Sequence, residues 1–379
     1  MKKLIFISIL LVIINNASAQ IEISFENFDT TKVEKYKFTG LGFTQSYIQM
    51  SFSGYKILNP NTINDFKDKT IEKIELVCTD FPKNKDLSRL NKKRLASLYL
   101  LFPEAFDNKL IKWSLVEQTG CNSSDVYNYF HGFVITYRPT PTIESISSDN
   151  SQLRSIVYGE EVPKDSTVLK ILDRNSEWSN MLIVCDFTGS MSPYVSQVLL
   201  WHYLKIKEEK VKSFVFFNDG NRTPDYDKEI GKTGGIYYTD NKDIDTVINT
   251  AIMTISSGTG GDAPENDVES ILFGIEKYPD TENIILIADN KSDIRDTALI
   301  SLINKPVKVI LCGTENGVNV QYLNLARSTG GSVHTIEEDL VNLIDINEGE
   351  EIRIDDTIYK IQKGKFVFYK KVNDKFYSM

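Results

Sequence analysis

The stretch Met181-Leu-Ile-Val-Cys-Asp-Phe-Thr-Gly-Ser190-Met191 decides the fold of the larger part of this 379-residue chain. It opens with an uninterrupted apolar run, which is typical of a strand buried on both faces of a parallel sheet. A carboxylate, two hydroxyl groups and a glycine follow at once. The stretch therefore predicts a core strand that ends in a polar turn, at the sheet edge where ligands bind in such folds.

The same pattern recurs along the chain up to residue 345. Further apolar runs predict core strands at residues 213–217, 283–288 and 307–312. Amphipathic stretches between the runs predict helices at residues 194–208, 243–255, 266–277 and 293–303. Because strand and helix alternate, we expect a doubly wound α/β fold with a mostly parallel sheet. The residues directly after each apolar run then line the ligand crevice.

Side chains that carry oxygen gather after these runs and in one glycine-rich turn. Asp186, Thr188 and Ser190 follow the first strand, and Asp289 follows the strand at residues 283–288. The turn Ser256-Ser-Gly-Thr259-Gly-Gly-Asp262-Ala-Pro-Glu265 adds a hydroxyl and a carboxylate just before a predicted helix. Ligand sets made only of oxygen suit a hard cation such as Mg²⁺. Thr259 and Asp262 remain alternative ligands from this turn.

These motifs, in this order, resemble the metal-ion-dependent adhesion site of von Willebrand factor type A domains. The resemblance covers residues 179–345. It is nearest to the hemicentin-like branch in three motifs, Asp186-Phe-Thr-Gly-Ser-Met191, Gly260-Gly-Asp-Ala-Pro-Glu265 and Ile287-Ala-Asp289. In the family the ligand from the second loop is usually threonine, whereas Asp262 occupies the position that this branch emphasises.

The resemblance implies a binding module rather than an enzyme. It implies that Thr188 and Ser190 bind Mg²⁺ directly, with Mn²⁺ or Ca²⁺ as alternatives. Asp186 and Asp289 would bind the cation directly or through water. An open coordination position would accept an Asp or Glu side chain from an envelope or extracellular protein.

An alternative reading is a Mg²⁺-dependent phosphoryl transferase of the haloacid dehalogenase type. Asp186-Phe-Thr-Gly-Ser190 also resembles the nucleophile loop of those enzymes, and Asp289-Asn-Lys-Ser-Asp293 resembles their acidic metal motif. However, no lysine-bearing loop occurs in the expected place between the two motifs. The Gly260-Gly-Asp-Ala-Pro-Glu265 loop also has no role in such a phosphoryl transferase. The sequence therefore favours a protein without catalytic activity.

The amino-terminal residues resemble a secretory signal. Met1-Lys-Lys precedes an apolar run at residues 4–14, and Ala17-Ser-Ala19 offers a cleavage site. The run is shorter than the about 20 residues that span a bilayer. We therefore expect residues 1–19 to be removed and the mature protein to be exported, to the periplasm or the cell surface, without a membrane span. The net charge of −9 argues against nucleic acid as a partner.

The remaining segments predict a second domain and two connecting regions. Residues 20–145 carry short alternating runs and one helical stretch at residues 86–101, which predicts an α+β or mostly β domain of unknown role. Residues 146–178 are expected to be a linker and lead-in segment. Residues 346–379 alternate like a β-hairpin, which we expect to dock on the amino-terminal domain, with an edge for strand pairing with a partner as the alternative.

The cysteines, histidines and loop acids suggest structural roles. Cys185 and Cys312 end apolar runs and predict buried free thiols, whereas Cys78 and Cys121 are candidates for a disulfide. The histidines lie in separate segments without zinc-binding spacing: His131, His202 and His334. Three acids of one loop are expected to be solvated surface residues: Asp219, Asp225 and Asp227.

Overall fold

The structure is a computed structural model that describes residues 28–42, 44–66, 69, 71–83, 85–107, 111–137, 151–188, 191–258 and 264–371. The chain divides into two compact units, Met1–Pro139 and Thr140–Met379. The predicted export signal lies outside the described residues. The same is true of three predicted metal ligands, Ser190, Thr259 and Asp262.

The first unit is a five-stranded mixed sheet with helices inserted between two parallel strands. The strands are β1 Asp29–Val33, β2 Gln45–Gln49, β3 Ile71–Thr79, β4 Lys112–Gln118 and β5 Gly132–Tyr137. They lie in the order β1-β4-β3-β5-β2, and β1, β3 and β4 run parallel. The helix expected at residues 86–101 is present as α1 Ser88–Leu101, followed by α2 Glu104–Asp107. Leu95 and Leu98 of α1 pack in the core with sheet residues such as Ile74.

The second unit contains a seven-stranded, mostly parallel sheet in the order β12-β11-β10-β9-β6-β7-β8. Its strands are β6 Met181–Asp186, β7 Val211–Phe217, β8 Ile236–Thr239, β9 Asn283–Asp289, β10 Val307–Cys312, β11 Ser332–His334 and β12 Asp339–Leu340. Only β8 and β12 among these are antiparallel to their neighbours. Ranked within this unit, the first six strands follow the order 3-2-1-4-5-6 of doubly wound sheets. The prediction of a mostly parallel α/β sheet is confirmed.

Helices cover both faces of this sheet. One face carries α3 (residues 151–157), α4 Thr167–Arg174, α5 Ser192–Lys205 and α6 Ile244–Ser257. The other carries α7 Asp267–Lys277 and α8 Val320–Thr329. Ile183 and Cys185 belong to one core cluster, and Leu182 and Val184 belong to the other. Strand β6 is therefore buried on both faces, which explains its unbroken apolar run.

Two predicted segments have a different structure. The proposed linker at residues 146–178 contains α3 and α4, whose apolar residues fill the core cluster on one sheet face. The helix expected at residues 293–303 is only a short 3-10 helix, Thr297–Leu302. Further 3-10 helices of the described residues include Pro60–Asp65 and Val126–Asn128 in the first unit, and Ile206–Glu208, Asp225–Asp227 and Leu343–Asp345 in the second.

The carboxyl-terminal segment forms a three-stranded antiparallel sheet that packs on the second unit. Its strands are β13 Glu351–Ile354, β14 Thr357–Gln362 and β15 Lys365–Lys371. Tyr359 and Phe366 join the core cluster that contains α7 and α8. The hydroxyl oxygen of Tyr359 also accepts a hydrogen bond from the backbone N–H of Val318 at 2.6 Å. We expected a hairpin that docks on the amino-terminal domain; the structure shows three strands whose apolar face completes the core of the second unit.

All four cysteines are free and buried. The prediction is confirmed for Cys185 and Cys312, which lie in β6 and β10. The disulfide considered between Cys78 and Cys121 is not present. Burial raises the pKa of the Cys78 thiol to about 11, which keeps it protonated and unreactive at neutral pH.

His131 makes the first unit sensitive to acid. Its ring is buried, lies 5.4 Å from the ring of Phe52 and has Nε2 3.4 Å from the carbonyl oxygen of Val126. Burial and the nearby Arg94 lower the pKa of His131 to about 4. The folded state therefore prefers the neutral ring. Stability contributed by this group is present above about pH 6.5, the pKa in the unfolded chain, and is lost as the pH falls towards 4.

We expect His131→Gln to flatten this acid dependence. Hydrogen exchange of the β3 and β5 amides between pH 7 and pH 4.5, corrected for the intrinsic rate, measures the local opening equilibrium. In the wild type, opening should become more favourable by up to about tenfold per pH unit. Identical pH profiles for the two proteins would show that His131 is not the responsible group.

Candidate functional site

The centre of the second unit places two predicted site residues side by side. Strands β6 and β9 are parallel neighbours, with Cys185 opposite Ile287. Asp186 and Asp289 are the last residues of these strands, so both lie at the same carboxyl edge. The strand order reverses between β6 and β9, and such a switch point opens a ligand crevice in doubly wound sheets.

Asp186 is buried with half of its carboxylate unpartnered. Asp186 is only 1% exposed, and its Oδ1 accepts a hydrogen bond from the backbone N–H of Thr188 at 2.7 Å. Its Oδ2 is buried and has no hydrogen-bond partner among the described residues. Burial, reinforced by Asp289 and Asp219, raises the pKa of Asp186 to about 7. Thr188 compensates an ionised carboxylate here only in part, and a bound cation would supply further compensation.

The loop after β9 holds Asp289 in place. Asp289 is buried, and its Oδ1 accepts the backbone N–H of Lys291 at 3.0 Å. The side chain of Asn290 donates to the carbonyl oxygens of Gly313 and Gly317 at 3.1 and 2.8 Å. Its Oδ1 accepts the backbone N–H of Asn319 at 2.8 Å. The loop is therefore fixed by buried hydrogen bonds rather than left free.

Glu265 is a site residue that the sequence reasoning missed. It is 3% exposed, and its Oε2 has no hydrogen-bond partner among the described residues. Burial, followed by the charges of Asp186 and other nearby acids, raises the pKa of Glu265 well above its usual range. The sequence placed Glu265 at a helix start, but α7 begins at Asp267. Its place in the Gly260-Gly-Asp-Ala-Pro-Glu265 motif was the available signal.

Asp267 is a further buried acid near Asp186. It is fully buried, its Oδ1 has no partner among the described residues, and the hydroxyl of Tyr322 lies 3.5 Å from its Oδ2. The carboxylate that caps the amino terminus of α7 belongs to Asp296, which accepts hydrogen bonds from the backbone N–H groups of Val268 and Glu269 at 3.1 and 2.5 Å. Burial and the charge of Asp186 raise the pKa of Asp267 well above its usual range. We call Asp186, Glu265, Asp267 and Asp289 the acidic crevice.

The acids of the loop after β7 differ from expectation. Asp219 is 0% exposed and pairs with Lys228 and Arg295, whereas we expected a solvated residue. Asp219 lies two residues beyond the end of β7, so its place at the carboxyl edge of the sheet explains this burial. Asp225 pairs with Arg295, and Asp227 is exposed as expected.

The arrangement fits a cation held by mixed oxygen ligands. Within the described residues, no group of three or more His, Cys, Asp or Glu side chains has a metal-binding arrangement. The expected ligand set contains hydroxyl groups as well, and Thr188 is buried next to Asp186 in the described part. The unpartnered carboxylate oxygens of Asp186 and Glu265 are acceptors that a divalent cation would satisfy.

The histidines have structural roles. His202 contacts the carbonyl oxygen of Lys242 at 2.9 Å and packs against Phe214. His334 lies between Ser332 and Asp339, at 2.7 and 2.6 Å, which is the order of a catalytic triad. Ser332 is only 6% exposed, however, and lies inside the sheet. This buried chain of hydrogen bonds joins β11 to β12 rather than presenting a nucleophile.

Comparison with models of known protein families, with curated proteins and with solved structures finds no match. In the part of the chain that the structure describes, every helix is too short or too polar to cross a lipid bilayer.

Proposed function

We propose that the second unit is a von Willebrand factor type A domain that binds a divalent cation and, through it, a protein partner. Asp186, Asp289 and Thr188 would hold the cation, together with Ser190 and either Thr259 or Asp262 from the sequence motifs, and Glu265 would interact with it through bound water. When bound, the cation supplies a strong local positive field and a coordination position for an incoming carboxylate. Mg²⁺ is the expected ion, with Mn²⁺ or Ca²⁺ as alternatives.

One observation carries this proposal. Asp186 and Glu265 bury carboxylate oxygens without hydrogen-bond partners among the described residues, at the switch point of the sheet. Burying an uncompensated carboxylate is costly, so such groups are normally paired or bind a metal. The strand order and the positions of Asp186 and Asp289 agree with the resemblance in sequence.

The chemistry of the crevice favours binding over catalysis. A phosphoryl transferase of this kind would also need a cationic side chain free to bind the phosphate group. Lys291, the lysine of the second acidic motif, pairs with Glu315 at 2.6 Å. The guanidinium of Arg295 forms ion pairs with Asp219 and Asp225, so its charge is already paired. We therefore propose an exported adhesion or scaffold protein of the cell envelope, whose partner presents an exposed Asp or Glu.

We expect the full chain to capture an envelope or extracellular protein in Mg²⁺ but not in chelator. Ser190→Ala should abolish this capture because it removes a hydroxyl ligand. Ser332→Ala is the matched control, since it removes a buried hydroxyl from β11 and should leave capture unchanged. Peptide competition with Asp-containing and Asn-containing versions of the captured surface then tests the requirement for a carboxylate.

Two outcomes would contradict the proposal. Capture that is equal in Mg²⁺ and in chelator would remove the cation from the interaction. Mg²⁺-dependent hydrolysis of a generic phosphate ester, lost in Asp186→Asn, would favour the phosphoryl-transfer alternative.

A further inference from the structure

A buried ion cluster lies beside the acidic crevice and is not used by the proposed function. It consists of Asp219, Asp225, Lys228 and Arg295, which we call the arginine clamp. Arg295 Nε and Nη2 donate to the two carboxylate oxygens of Asp219 at 3.3 and 2.9 Å, and Nη1 donates to Asp225. Lys228 also pairs with Asp219, and the side chains of these two residues are almost completely buried. Two cationic side chains thus face the two carboxylates of this cluster.

Arg295 of the arginine clamp is also hydrogen-bonded to the loop that carries Glu265. Arg295 Nη2 donates to the carbonyl oxygen of Pro264 at 2.6 Å. The backbone N–H of Arg295 donates to the carbonyl oxygen of Glu265 at 2.7 Å, and the backbone N–H of Glu265 donates to the backbone carbonyl oxygen of Asp293 at 2.8 Å. One residue therefore fixes both peptide groups around Glu265, with its side chain on one and its backbone on the other.

Through its carboxylate partners the clamp joins three segments of the crevice rim. Asp219 and Asp225 belong to the loop after β7, Pro264 and Glu265 precede α7, and Arg295 itself lies in the loop after β9. Asp219 is close enough to the acidic crevice that its charge contributes to the raised pKa values of Asp186 and Glu265. The forked, planar guanidinium suits this task because it can bond several oxygens in fixed directions.

We propose that Arg295 is the positioning residue of the metal site. It holds Glu265 within the acidic crevice and fixes the loop after β7 against the same edge. The inference rests on the proposed function, because it assigns Arg295 a role in cation affinity. Arg295 does not contact the cation. It acts through Pro264 and Glu265, as outer residues orient metal ligands in other proteins.

The test is a calorimetric titration of Mn²⁺ into the full chain and its variants. Arg295→Gln should weaken Mn²⁺ binding by about tenfold or more, the usual range for residues that orient metal ligands. Arg295→Lys keeps the charge but not the fork, and should recover part of the affinity. Asp225→Asn removes one half-exposed partner of the clamp and should have a smaller effect in the same direction.

Arg327→Gln is the matched control. Arg327 also bonds backbone carbonyl oxygens, those of Leu343 and Ile344, but it lies in α8 and contacts the carboxyl-terminal segment. Its loss should lower the melting temperature and leave Mn²⁺ affinity unchanged. This comparison separates a role in positioning the site from a role in stability alone.

The outcomes are distinct. A wild type that binds Mn²⁺ and a folded Arg295→Gln with equal affinity would overturn the inference and leave the proposed function intact. A folded wild type that binds no Mn²⁺ would overturn both. If Arg295→Gln does not fold, Arg295→Lys and Asp225→Asn decide the question, and wild-type affinity in both would overturn the inference.

Discussion

Asp186→Asn is expected to stabilise the metal-free protein at pH 8 and to abolish its response to Mg²⁺. In the wild type, burial raises the pKa of Asp186 to about 7 from its usual 3.8, so ionisation at pH 8 opposes folding. At 1.36 kcal/mol per pKa unit, this opposition is on the order of 4 kcal/mol. Asparagine is neutral, similar in shape and still able to accept the N–H of Thr188.

The expected gain is smaller than this because the new amide group would itself lack a partner. Leaving a buried polar group unsatisfied costs about 1–3 kcal/mol, so the net gain is about 1–3 kcal/mol. For a unit of this size, that corresponds to a rise in melting temperature of about 5 °C. Differential scanning calorimetry of the full chain in chelator measures it directly.

The same experiment in Mg²⁺ should reverse the order of the two proteins. A ligand that binds only the folded state adds about 2.7 kcal/mol at one hundred times its Kd, so the wild type should gain several degrees. Asp186→Asn should gain nothing. Asp280→Asn, which alters a solvent-exposed aspartate of the same unit, is the control and should respond like the wild type. An Asp186→Asn protein with the full wild-type response would exclude Asp186 as a ligand.

The second large effect is a loss of stability of the metal-free second unit as the pH rises. Burial raises the pKa of Asp186 to about 7 and that of Asp296 to about 6, both from 3.8. It also raises the pKa values of Glu265 and Asp267 well above their usual ranges. The folded state therefore holds protons that the unfolded chain releases. The stability that these groups contribute is fully present below about pH 4, the pKa range of the unfolded chain. It is lost as the pH rises through their folded-state pKa values.

Each of these groups contributes up to 1.36 kcal/mol per pH unit inside its own window. Urea unfolding of the second unit at pH 5 and pH 8 in chelator should therefore show lower stability at pH 8. Saturating Mg²⁺ should remove most of this loss, because a cation favours the ionised carboxylates that bind it. A metal-free second unit that becomes more stable from pH 5 to pH 8 would contradict the arrangement of the acidic crevice.

The two units should thus respond to acid in opposite directions. His131 in the first unit has a pKa lowered to about 4, so acid destabilises that unit. Hydrogen exchange resolves the units by peptide and makes the contrast visible in one protein sample. The second unit in chelator should open less readily at pH 5 than at pH 8, after correction for intrinsic exchange.

The sequence predicts the central strands well because burial on both faces leaves a strong pattern. Strands β6 and β9 have unbroken apolar runs, and their ends place Asp186 and Asp289 correctly at one edge. Short strands such as β8 and β11 carry too few residues for a clear pattern. The helix α8 was not predicted, although Asn319 caps it by accepting the N–H of Gln321 at 2.9 Å.

Long-range pairing explains the remaining differences. The sequence around Asp219 predicts a solvated loop residue. Its actual partner, Arg295, lies 76 positions later in the chain. Glu265 reads as a helix-start residue until the fold buries it near Asp186. The alternation of residues 351–371 predicts strands, but only the fold shows that Tyr359 and Phe366 complete the core of the second unit. These outcomes depend on contacts that no local window of sequence contains.

The most direct test of the central claim is to count the Mn²⁺ ions bound to the full chain by electron paramagnetic resonance. Mn²⁺ replaces Mg²⁺ at oxygen sites and is visible when free in solution, so bound ions are counted by difference. We expect a single tightly bound ion per wild-type chain, displaced by excess Mg²⁺. A variant that carries both Asp186→Asn and Asp289→Asn should bind none while remaining folded. A folded wild type without bound Mn²⁺, or a double variant that binds it as tightly, would contradict the account.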